Sequence, residues 1–332
     1  MRRALVTGAA GQIGTELVQA LRAELGADRV LATDLRRPED DHPVVAGGPF
    51  GLLDCTDGEA LDRHLREHRP DTIFHLAALL SAVGENQPQE AYRVNLGGLV
   101  TVLEAARERE IALFTPSSIA AFGPGTPPDL TPQETIQRPT TMYGVTKVAG
   151  ELLCDYYHHR FGVDARGLRY PGIISHSAPP GGGTTDYAVE IFHAAVSEGR
   201  YTCFLEPDTQ LDMMYMPDAV RAALELMQAD PERLEHRNAF NVTAMQFTPQ
   251  GLADRIRERI PHFSIDYEVD PTRQAIADSW PRRLDDSAAR REWGWSPEYD
   301  EDAMVDDMLD HLVPRPNGAS APESSSPATP GG

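Results

Sequence analysis

The amino-acid sequence predicts an α/β fold in which a doubly wound parallel sheet is followed by a smaller C-terminal region. Through residues 1–170, short apolar runs alternate with helical patterns. Strands that alternate with helices of this length form right-handed βαβ units, and such units build a parallel sheet. The apolar runs contain few polar residues, as expected of strands that are covered on both faces.

The predicted elements follow one another closely in the first half of the chain. The strand-like runs are RRALVTG, RVLATD, GLLD, DTIFHLAAL, IALFTPSS and VDARGLRY. The helical patterns between them span residues 15–25, 57–69, 88–109 and 142–161. After Arg169 the pattern loosens into a stretch rich in proline and glycine, with further helices near residues 186–199 and 217–228.

Three regions are expected from this pattern. Residues 1–170 form the sheet domain, and residues 171–312 form a region that caps the sheet and holds a substrate. Residues 313–332 are rich in proline, glycine and serine and have no apolar period. Burial cannot offset the entropy of ordering such a segment, so we expect a disordered tail.

The charge of the chain excludes several classes of partner. There are 30 basic and 51 acidic residues, and the net charge of −21 repels nucleic-acid phosphates and anionic lipid headgroups. No apolar run approaches the roughly 18 residues of a membrane span, and the first strand leaves no room for a signal peptide. Three scattered cysteines indicate neither a disulfide framework nor a metal pair. We expect a cytoplasmic protein that binds neither nucleic acid nor membrane.

A glycine-rich turn follows the first strand and opens the first helix. Gly8, Gly11 and Gly14 have the spacing G-x-x-G-x-x-G, with Gln12 and Ile13 before the last glycine. Glycines let the backbone approach a pyrophosphate, and the helix N-terminus presents free N–H groups to it. In this context the motif predicts a dinucleotide site on a Rossmann-type sheet. A purely structural turn is the alternative, since the chain has 27 glycines.

The end of the second strand indicates which dinucleotide binds. Asp34 lies twenty residues after Gly14, where a carboxylate accepts hydrogen bonds from the ribose hydroxyls of NAD. The same charge repels the 2′-phosphate of NADP. Arg36 and Arg37 are close enough to bind that phosphate, so NADP is the alternative.

Tyr143 and Lys147 are the candidate acid/base pair. They are four residues apart in a predicted helix and therefore share one face. A neighbouring ammonium favours the phenolate form of a tyrosine, so we expect the pKa of Tyr143 to be lowered. Lys147 is also the only lysine in the chain, and arginine replaces lysine everywhere else. The sequence therefore indicates a position that arginine cannot fill, because its forked group is not a compact point charge.

Ser117 and Ser118 end the strand IALFTPSS at the carboxyl edge of the sheet, where doubly wound folds bind ligands. One hydroxyl there could hold the oxygen of a substrate. Serines also end many strands without any such role.

These motifs resemble the extended short-chain dehydrogenase/reductase superfamily over about residues 1–170. The resemblance rests on TGAAGQIG, DCTD, HLAAL and YGVTK, together with Asn95 and Ser118. It implies NAD as the cofactor and a catalytic triad of Ser118, Tyr143 and Lys147. It also implies further cofactor contacts at Asp54, Cys55, Ala77, Ala78, Asn95 and Tyr170.

Later motifs resemble the short-chain L-threonine 3-dehydrogenases within that superfamily. They are LRYPGIIS, PPGGGTTDYA, MMYMPDA, WPRRLDDS and EWGW. This resemblance implies oxidation of the C3 hydroxyl of L-threonine to 2-amino-3-oxobutanoate, with hydride transfer to NAD. Tyr143 would be the base, Ser118 would bond the reacting oxygen, and Lys147 would bind the nicotinamide ribose. The implied substrate contacts are Ser81, Ser118, Tyr143, Gly183, Thr184, Thr185 and Trp280.

Some residues have a structural explanation as well. Asp186 is placed to cap the helix that begins DYAVEIFH, and Trp280 precedes a proline and could be a packing aromatic. Asp212 stands where that family usually has proline.

The substrate segment itself favours a small ligand. No lysine or arginine occurs between Arg169 and Arg200, so this segment offers no cation to the diphosphate of a nucleotide sugar. A nucleotide-sugar 4-epimerase or dehydratase with bound NAD is the main alternative, and a non-catalytic NAD-sensing binder is the other. The histidines show no H-E-x-x-H motif, so we expect no metal in the site. The expected assembly is a homodimer.

Overall fold

The computed structural model describes residues 1–177 and 183–313 as fourteen strands and thirteen α-helices. The strands are β1 (Ala4–Thr7), β2 (Val30–Asp34), β3 (Phe50–Leu52), β4 (Thr72–His75), β5 (Ala112–Phe114), β6 (Ser117–Ser118), β7 (Ala165–Arg166), β8 (Leu168–Tyr170), β9 (Gly172–Ile174), β10 (Arg200–Cys203), β11 (Leu211–Tyr215), β12 (Phe240–Asn241), β13 (Met245–Phe247) and β14 (Ser264–Tyr267).

The helices follow the strands as the alternating pattern predicts. They are α1 (Gln12–Leu25), α2 (Pro43–Ala46), α3 (Gly58–His68), α4 (Ser81–Asn86), α5 (Pro88–Ala91), α6 (Gly98–Arg109), α7 (Met142–Phe161), α8 (Tyr187–Ser197), α9 (Met216–Gln228), α10 (Pro249–Arg259), α11 (Pro271–Asp278), α12 (Ser287–Trp293) and α13 (Glu301–Leu312). A π-helical segment, Tyr92–Gly97, joins α5 to α6.

A six-stranded parallel sheet forms the centre of the protein, in the order β3-β2-β1-β4-β5-β7. The order reverses between β1 and β4, and the connections on either side of that point leave a crevice at the carboxyl ends of the strands. The predicted Rossmann-type fold is confirmed. Its crevice is where the candidate site lies.

The sheet is covered on both faces because successive strand residues point in opposite directions. On one face, Val6 of β1 lies in a core cluster with Leu17 and Leu21 of α1. On the other, Leu5 lies in a second cluster that includes Leu61 of α3 and Leu103 of α6. All six side chains are essentially buried, and each full burial of this kind contributes about 1.5–3 kcal/mol.

The two regions predicted at residues 1–170 and 171–312 interleave in space. Strand β12 pairs with β8, and α9 packs against α1, so later residues return to the sheet domain. A third core cluster lies under the small sheet β13-β11-β9 and includes residues of α8, α10 and α13. This sheet and its helices cover the carboxyl edge of β6 and β8.

The late helices α10, α11, α12 and α13 lie after residue 228, where the sequence pattern assigned no elements. Two of them begin with proline at the first position, and three have an N-cap side chain bonded to the first turn, so local signals for their starts exist. Among the described residues, no helix is long and apolar enough to cross a membrane. The predicted tail lies outside the described residues beyond Val313.

Candidate active site

The start of α7 brings Tyr143 against the end of β6. Thr141 caps the helix, because its Oγ1 accepts a hydrogen bond of 3.1 Å from Gly144 N. A Cβ atom at Gly144 would lie 2.2 Å from the carbonyl oxygen of Ala120, so only glycine allows this close approach. The helix therefore packs directly on the turn that follows Ser118.

Ser118 lies close enough to Tyr143 to affect its phenol. Burial raises the pKa of the Tyr143 phenol to about 12, while the hydrogen bond from Ser118 acts in the opposite direction. Lys147 Nζ lies 5.3 Å from the centroid of the Tyr143 ring and donates a 2.7 Å hydrogen bond to the carbonyl of Pro116. The ammonium is thus directed to a backbone oxygen below the ring and away from the phenol oxygen. The sequence predicted a lowered pKa for Tyr143, and this prediction is wrong because burial raises it.

The charge of Lys147 is held in a buried setting. Burial lowers its pKa to about 8, while the Glu151 carboxylate, one turn along α7, raises it. His75, at the end of β4, has a pKa lowered to about 3 by burial and by Lys147. His75 is therefore neutral at pH 7, and Lys147 is the charged group at this point of the site.

The glycine turn has the geometry of a phosphate cradle. Gly8 has φ +65°, and a Cβ atom on it would lie 2.7 Å from Ala77 N on the neighbouring strand end. Helix α1 begins after Gly11, and no side chain caps its first turn. The N–H groups of that turn and the positive end of the helix dipole therefore face the crevice. This arrangement fits a pyrophosphate.

Asp34 lies beside this turn at the end of β2. Its two carboxylate oxygens accept hydrogen bonds from Ala10 N (3.0 Å) and Leu35 N (2.7 Å). It lines a cavity of about 430 Å³ together with the glycine turn and most of the other predicted cofactor contacts, namely Asp54, Cys55, Ala77 and Ala78.

Asn95 is the exception among these contacts, because it lies behind the cavity wall. Its amide is bonded to the backbone N–H and carbonyl of Leu79 and to Thr146 Oγ1. It therefore ties the loop after β4 to α7 from within the π-helical segment. Such segments often occur at functional sites. Tyr170 lines the cavity described next, but its hydroxyl donates to the carbonyl of Ala219 in the core.

A second cavity, of about 250 Å³, gathers the predicted catalytic and substrate residues. It shares Gly8, Gly11 and Ala78 with the first, so the two form one continuous groove along the crevice. Its lining includes Gly8, Gly11, Gln12, Ile13, Gly14, Ser81, Ser118, Tyr143, Lys147, Tyr170, Gly183, Thr184, Thr185 and Trp280. Residues from both ends of the chain thus meet around Tyr143.

The substrate side of this cavity is formed by the start of α8 and the segment before α12. Thr184 is buried, and the Asp186 carboxylate accepts a 2.7 Å hydrogen bond from Gly183 N. Asp186 occupies the N-cap position of α8, but its side chain closes the turn before the helix and does not cap the first helical turn. Thr184 and Thr185 are therefore held by a local turn.

A buried carboxylate lies behind the segment that follows Trp280. Asp212 on β11 accepts hydrogen bonds from Leu284 N (2.8 Å), Gln246 Nε2 (2.9 Å) and the Thr243 hydroxyl. Burial raises the pKa of Asp212 to about 6. The residue that departs from the family pattern therefore anchors Leu284, four residues after Trp280.

Two contributors to the site had not been singled out from the sequence. Gly144 sets the approach of α7, and Arg93 lines the same cavity as Asp34, with its guanidinium 3.5 Å from Asp54. A glycine directly after the candidate tyrosine was a visible signal for the first. The position of Arg93 depends on the π-helical segment, which no local pattern predicts.

Comparison with known proteins agrees with this geometry. The model of the NAD dependent epimerase/dehydratase family matches residues 4–243. The chain is 55% identical over 309 residues to an uncharacterized epimerase/dehydratase of Staphylococcus haemolyticus, covering 93% of this chain and 97% of the relative.

Two solved structures are also similar along nearly the whole chain. An L-threonine dehydrogenase from Clostridium difficile has a TM-score of 0.92 and 53% identity, covering 94% of this chain and 98% of that one. The holo form of a GalE-like L-threonine dehydrogenase from Cupriavidus necator has a TM-score of 0.90 and 49% identity, covering 93% and 99%. With the glycine cradle, Asp34 and the Ser118, Tyr143 and Lys147 cluster in one crevice, the chain belongs to the NAD-dependent epimerase/dehydratase family.

Proposed function

We propose that this enzyme oxidises L-threonine at C3 to 2-amino-3-oxobutanoate and transfers the hydride to NAD. The observation that carries the proposal is the single cavity in which Ser118 and Tyr143 face Thr184 and Thr185, next to the glycine turn. The similarity to two L-threonine dehydrogenases supports the same substrate.

The roles of the catalytic residues follow from their contacts. Tyr143 takes the proton of the C3 hydroxyl, and Ser118, which lies beside the phenol, donates its one hydroxyl proton in a hydrogen bond to the same substrate oxygen. Lys147 is placed to bind the nicotinamide ribose and keeps a positive charge beneath the tyrosine ring. NAD, when bound, accepts the hydride and brings a positive ring to the cavity, and a positive charge near a phenol lowers its pKa.

The charges around the cavity favour a small zwitterion. Among the described lining residues, Lys147 is the one cation and Asp186 the one carboxylate. Two phosphates of a nucleotide sugar would need more positive charge than this wall offers. We propose that the hydroxyls of Ser81, Thr184 and Thr185 bind the polar groups of the amino acid, and that Trp280 packs against its methyl side.

Replacing Asp34 tests the choice of cofactor. Asp34→Ala should weaken NAD binding about 10- to 100-fold, because charge-assisted hydrogen bonds to the ribose are lost. It should also reduce discrimination against NADP, because the repelling charge is gone. Isothermal titration with both cofactors measures the two effects, with the exposed Asp41→Ala as the control. A wild-type enzyme that prefers NADP would contradict the assignment and would indicate Arg36 and Arg37 as phosphate ligands.

Replacing Thr184 and Thr185 tests the substrate side. Thr184→Val and Thr185→Val keep the side-chain volume but remove the hydroxyls, so KM for L-threonine should rise at least about tenfold while KM for NAD stays within twofold. L-Serine lacks the methyl carbon, so kcat/KM for L-serine should be about 10- to 200-fold lower than that for L-threonine. Equal effects on both KM values would remove these residues from the substrate site.

We propose that the enzyme is a homodimer. Val145, Leu152 and Tyr156 are all about half exposed or more and lie on one line along α7, and Val100 on the adjacent α6 is exposed beside them. A symmetric pair of such faces would bury the four side chains of each copy against the other.

A cytoplasmic location is also proposed, because Cys55, Cys154 and Cys203 are all buried and free, as is usual in a reducing compartment.

A charge on this face should separate the subunits. Leu152→Glu is expected to shift the mass in solution from dimer to monomer, because an unpaired carboxylate would be buried in the interface. Size-exclusion chromatography with light scattering measures the mass. Ile136→Glu, at an equally exposed apolar residue outside these helices, is the control. A monomeric wild type would contradict the proposed assembly.

A further inference from the structure

A cluster of two histidines and an aspartate lies outside the proposed active site. One ring nitrogen of His176, one of His311 and a carboxylate oxygen of Asp307 all lie within 4.8 Å of one another. His176 follows β9, whereas Asp307 and His311 are one turn apart on α13. None of the three lines the cavity around Tyr143.

Hydrogen bonds fix which ring nitrogen of each histidine carries its proton. His311 Nδ1 lies 2.8 Å from the backbone carbonyl of Asp307, which can only accept, so Nδ1 is protonated. His176 Nδ1 lies 2.8 Å from the Tyr215 hydroxyl, which donates its own proton to Asp307 Oδ2 at 2.6 Å. The hydroxyl can therefore only accept from His176. In each ring the lone pair is left on Nε2.

The two imidazole rings lie against each other. They are stacked with centroids 3.9 Å apart and an interplanar angle of 16°. A histidine that donates Nδ1–H to a carbonyl or a carboxylate-bonded group, and keeps Nε2 free, has the form found in metal ligands.

We infer that His176, Asp307 and His311 form a binding site for one divalent transition-metal ion, of the zinc class. Two imidazoles and a carboxylate suit this class, whereas Mg²⁺ and Ca²⁺ prefer oxygen ligands throughout. His311 is half exposed, so its ring can leave the stack and bring Nε2 to the ion, giving up the bond from Nδ1 to the Asp307 carbonyl. The Tyr215 hydroxyl is hydrogen-bonded to both His176 and Asp307 and would support these two ligands.

The proposed ion would join two parts of the chain. β9 supplies Gly172 and Ile173 to the wall of the catalytic cavity, and His176 lies two residues after that strand. Helix α13 packs on α8, which begins just after Thr185. The ion would thus clamp α13 to the end of β9 without touching the reacting groups, so its role is structural.

Zinc titration of the untagged full-length protein tests the site. After treatment with EDTA and its removal, isothermal titration with ZnCl₂ should give about one tight ion per chain, and the ion should raise the thermal unfolding midpoint by several degrees. His311→Ala and Asp307→Asn should each weaken binding at least about tenfold, and Tyr215→Phe about tenfold through loss of its support. The control His262→Ala removes an exposed histidine elsewhere and should change nothing.

Two results would overturn the inference. One is zinc affinity in His311→Ala equal to that of the wild type. The other is a loss of affinity in His262→Ala as large as that in His311→Ala, which would mean diffuse binding by surface histidines. MgCl₂ at the same concentrations should neither bind tightly nor shift the midpoint, and a Mg²⁺ response equal to that of Zn²⁺ would also contradict the site.

Discussion

Tyr143→Phe should lower kcat for L-threonine oxidation at least about a hundredfold, because it removes the group that takes the substrate proton. The ring remains, so packing against Lys147 and the start of α7 should be kept. Affinity for NAD should change less than about threefold, since the phenol oxygen contributes little to holding the cofactor. Steady-state assays and cofactor titration give the two quantities separately.

The pH dependence gives a second test of the same residue. Burial raises the pKa of the Tyr143 phenol to about 12 before ligands bind, so only a small fraction of Tyr143 is in the phenolate form near neutral pH. For the wild type, kcat/KM should therefore rise with pH across the neutral range. The control Tyr156→Phe, on the same helix and exposed, should keep both rate and profile. Near-normal turnover in Tyr143→Phe would contradict its role as the base.

Asp212→Ala should cause the largest loss of stability among the proposed variants. It removes three hydrogen bonds at a fully buried position and leaves Leu284 N without its acceptor, which costs about 1–3 kcal/mol for that group alone. The segment from Trp280 should loosen with it. We expect the thermal unfolding midpoint to fall by several degrees and KM for the substrate to rise.

Asp212→Asn removes the charge of this residue but also places an amide NH2 against one of its hydrogen-bond donors, so the variant should be less stable than the wild type at pH 5. The folded-state pKa of about 6 is above the usual value for Asp, so ionisation disfavours folding, and this group's contribution is lost as pH rises through about 6. Because only the wild type has this carboxyl to ionise, the stability deficit of the Asn variant should narrow as pH rises from 5 to 7.5. An Asn variant that is less stable at pH 7.5 than at pH 5.5, relative to the wild type, would contradict this account.

The sheet and its first helices could be predicted because local and global signals agree there. In β1, β2 and β4 nearly every residue is buried, so both faces select apolar side chains and the strand pattern is strong. Asp34 and Ser118 could be assigned for the same reason, since each ends a strand at the carboxyl edge. The late helices were harder to predict because their apolar residues alternate with charged ones over short lengths.

Three features of the site region depend on contacts between distant parts of the chain and could not be predicted from local patterns. The pKa of Tyr143 depends on where the Lys147 ammonium points. The ammonium donates a hydrogen bond to the carbonyl of Pro116, which lies at the end of a strand and outside the helix that carries Tyr143 and Lys147. The backbone of Leu284, after Trp280, is held by Asp212, which is 72 residues earlier in the chain. The histidine cluster at His176 likewise has no spacing motif that includes all its members.

The central claim is that this crevice oxidises L-threonine with NAD, and the absorbance of reduced cofactor tests it most directly. Purified protein with NAD should form NADH when L-threonine is added, slowly with L-serine, and not with UDP-glucose or UDP-galactose. Neither nucleotide sugar should compete with L-threonine. Tight binding or turnover of a UDP-sugar, with no NADH formed from L-threonine, would contradict the proposed function and favour an epimerase.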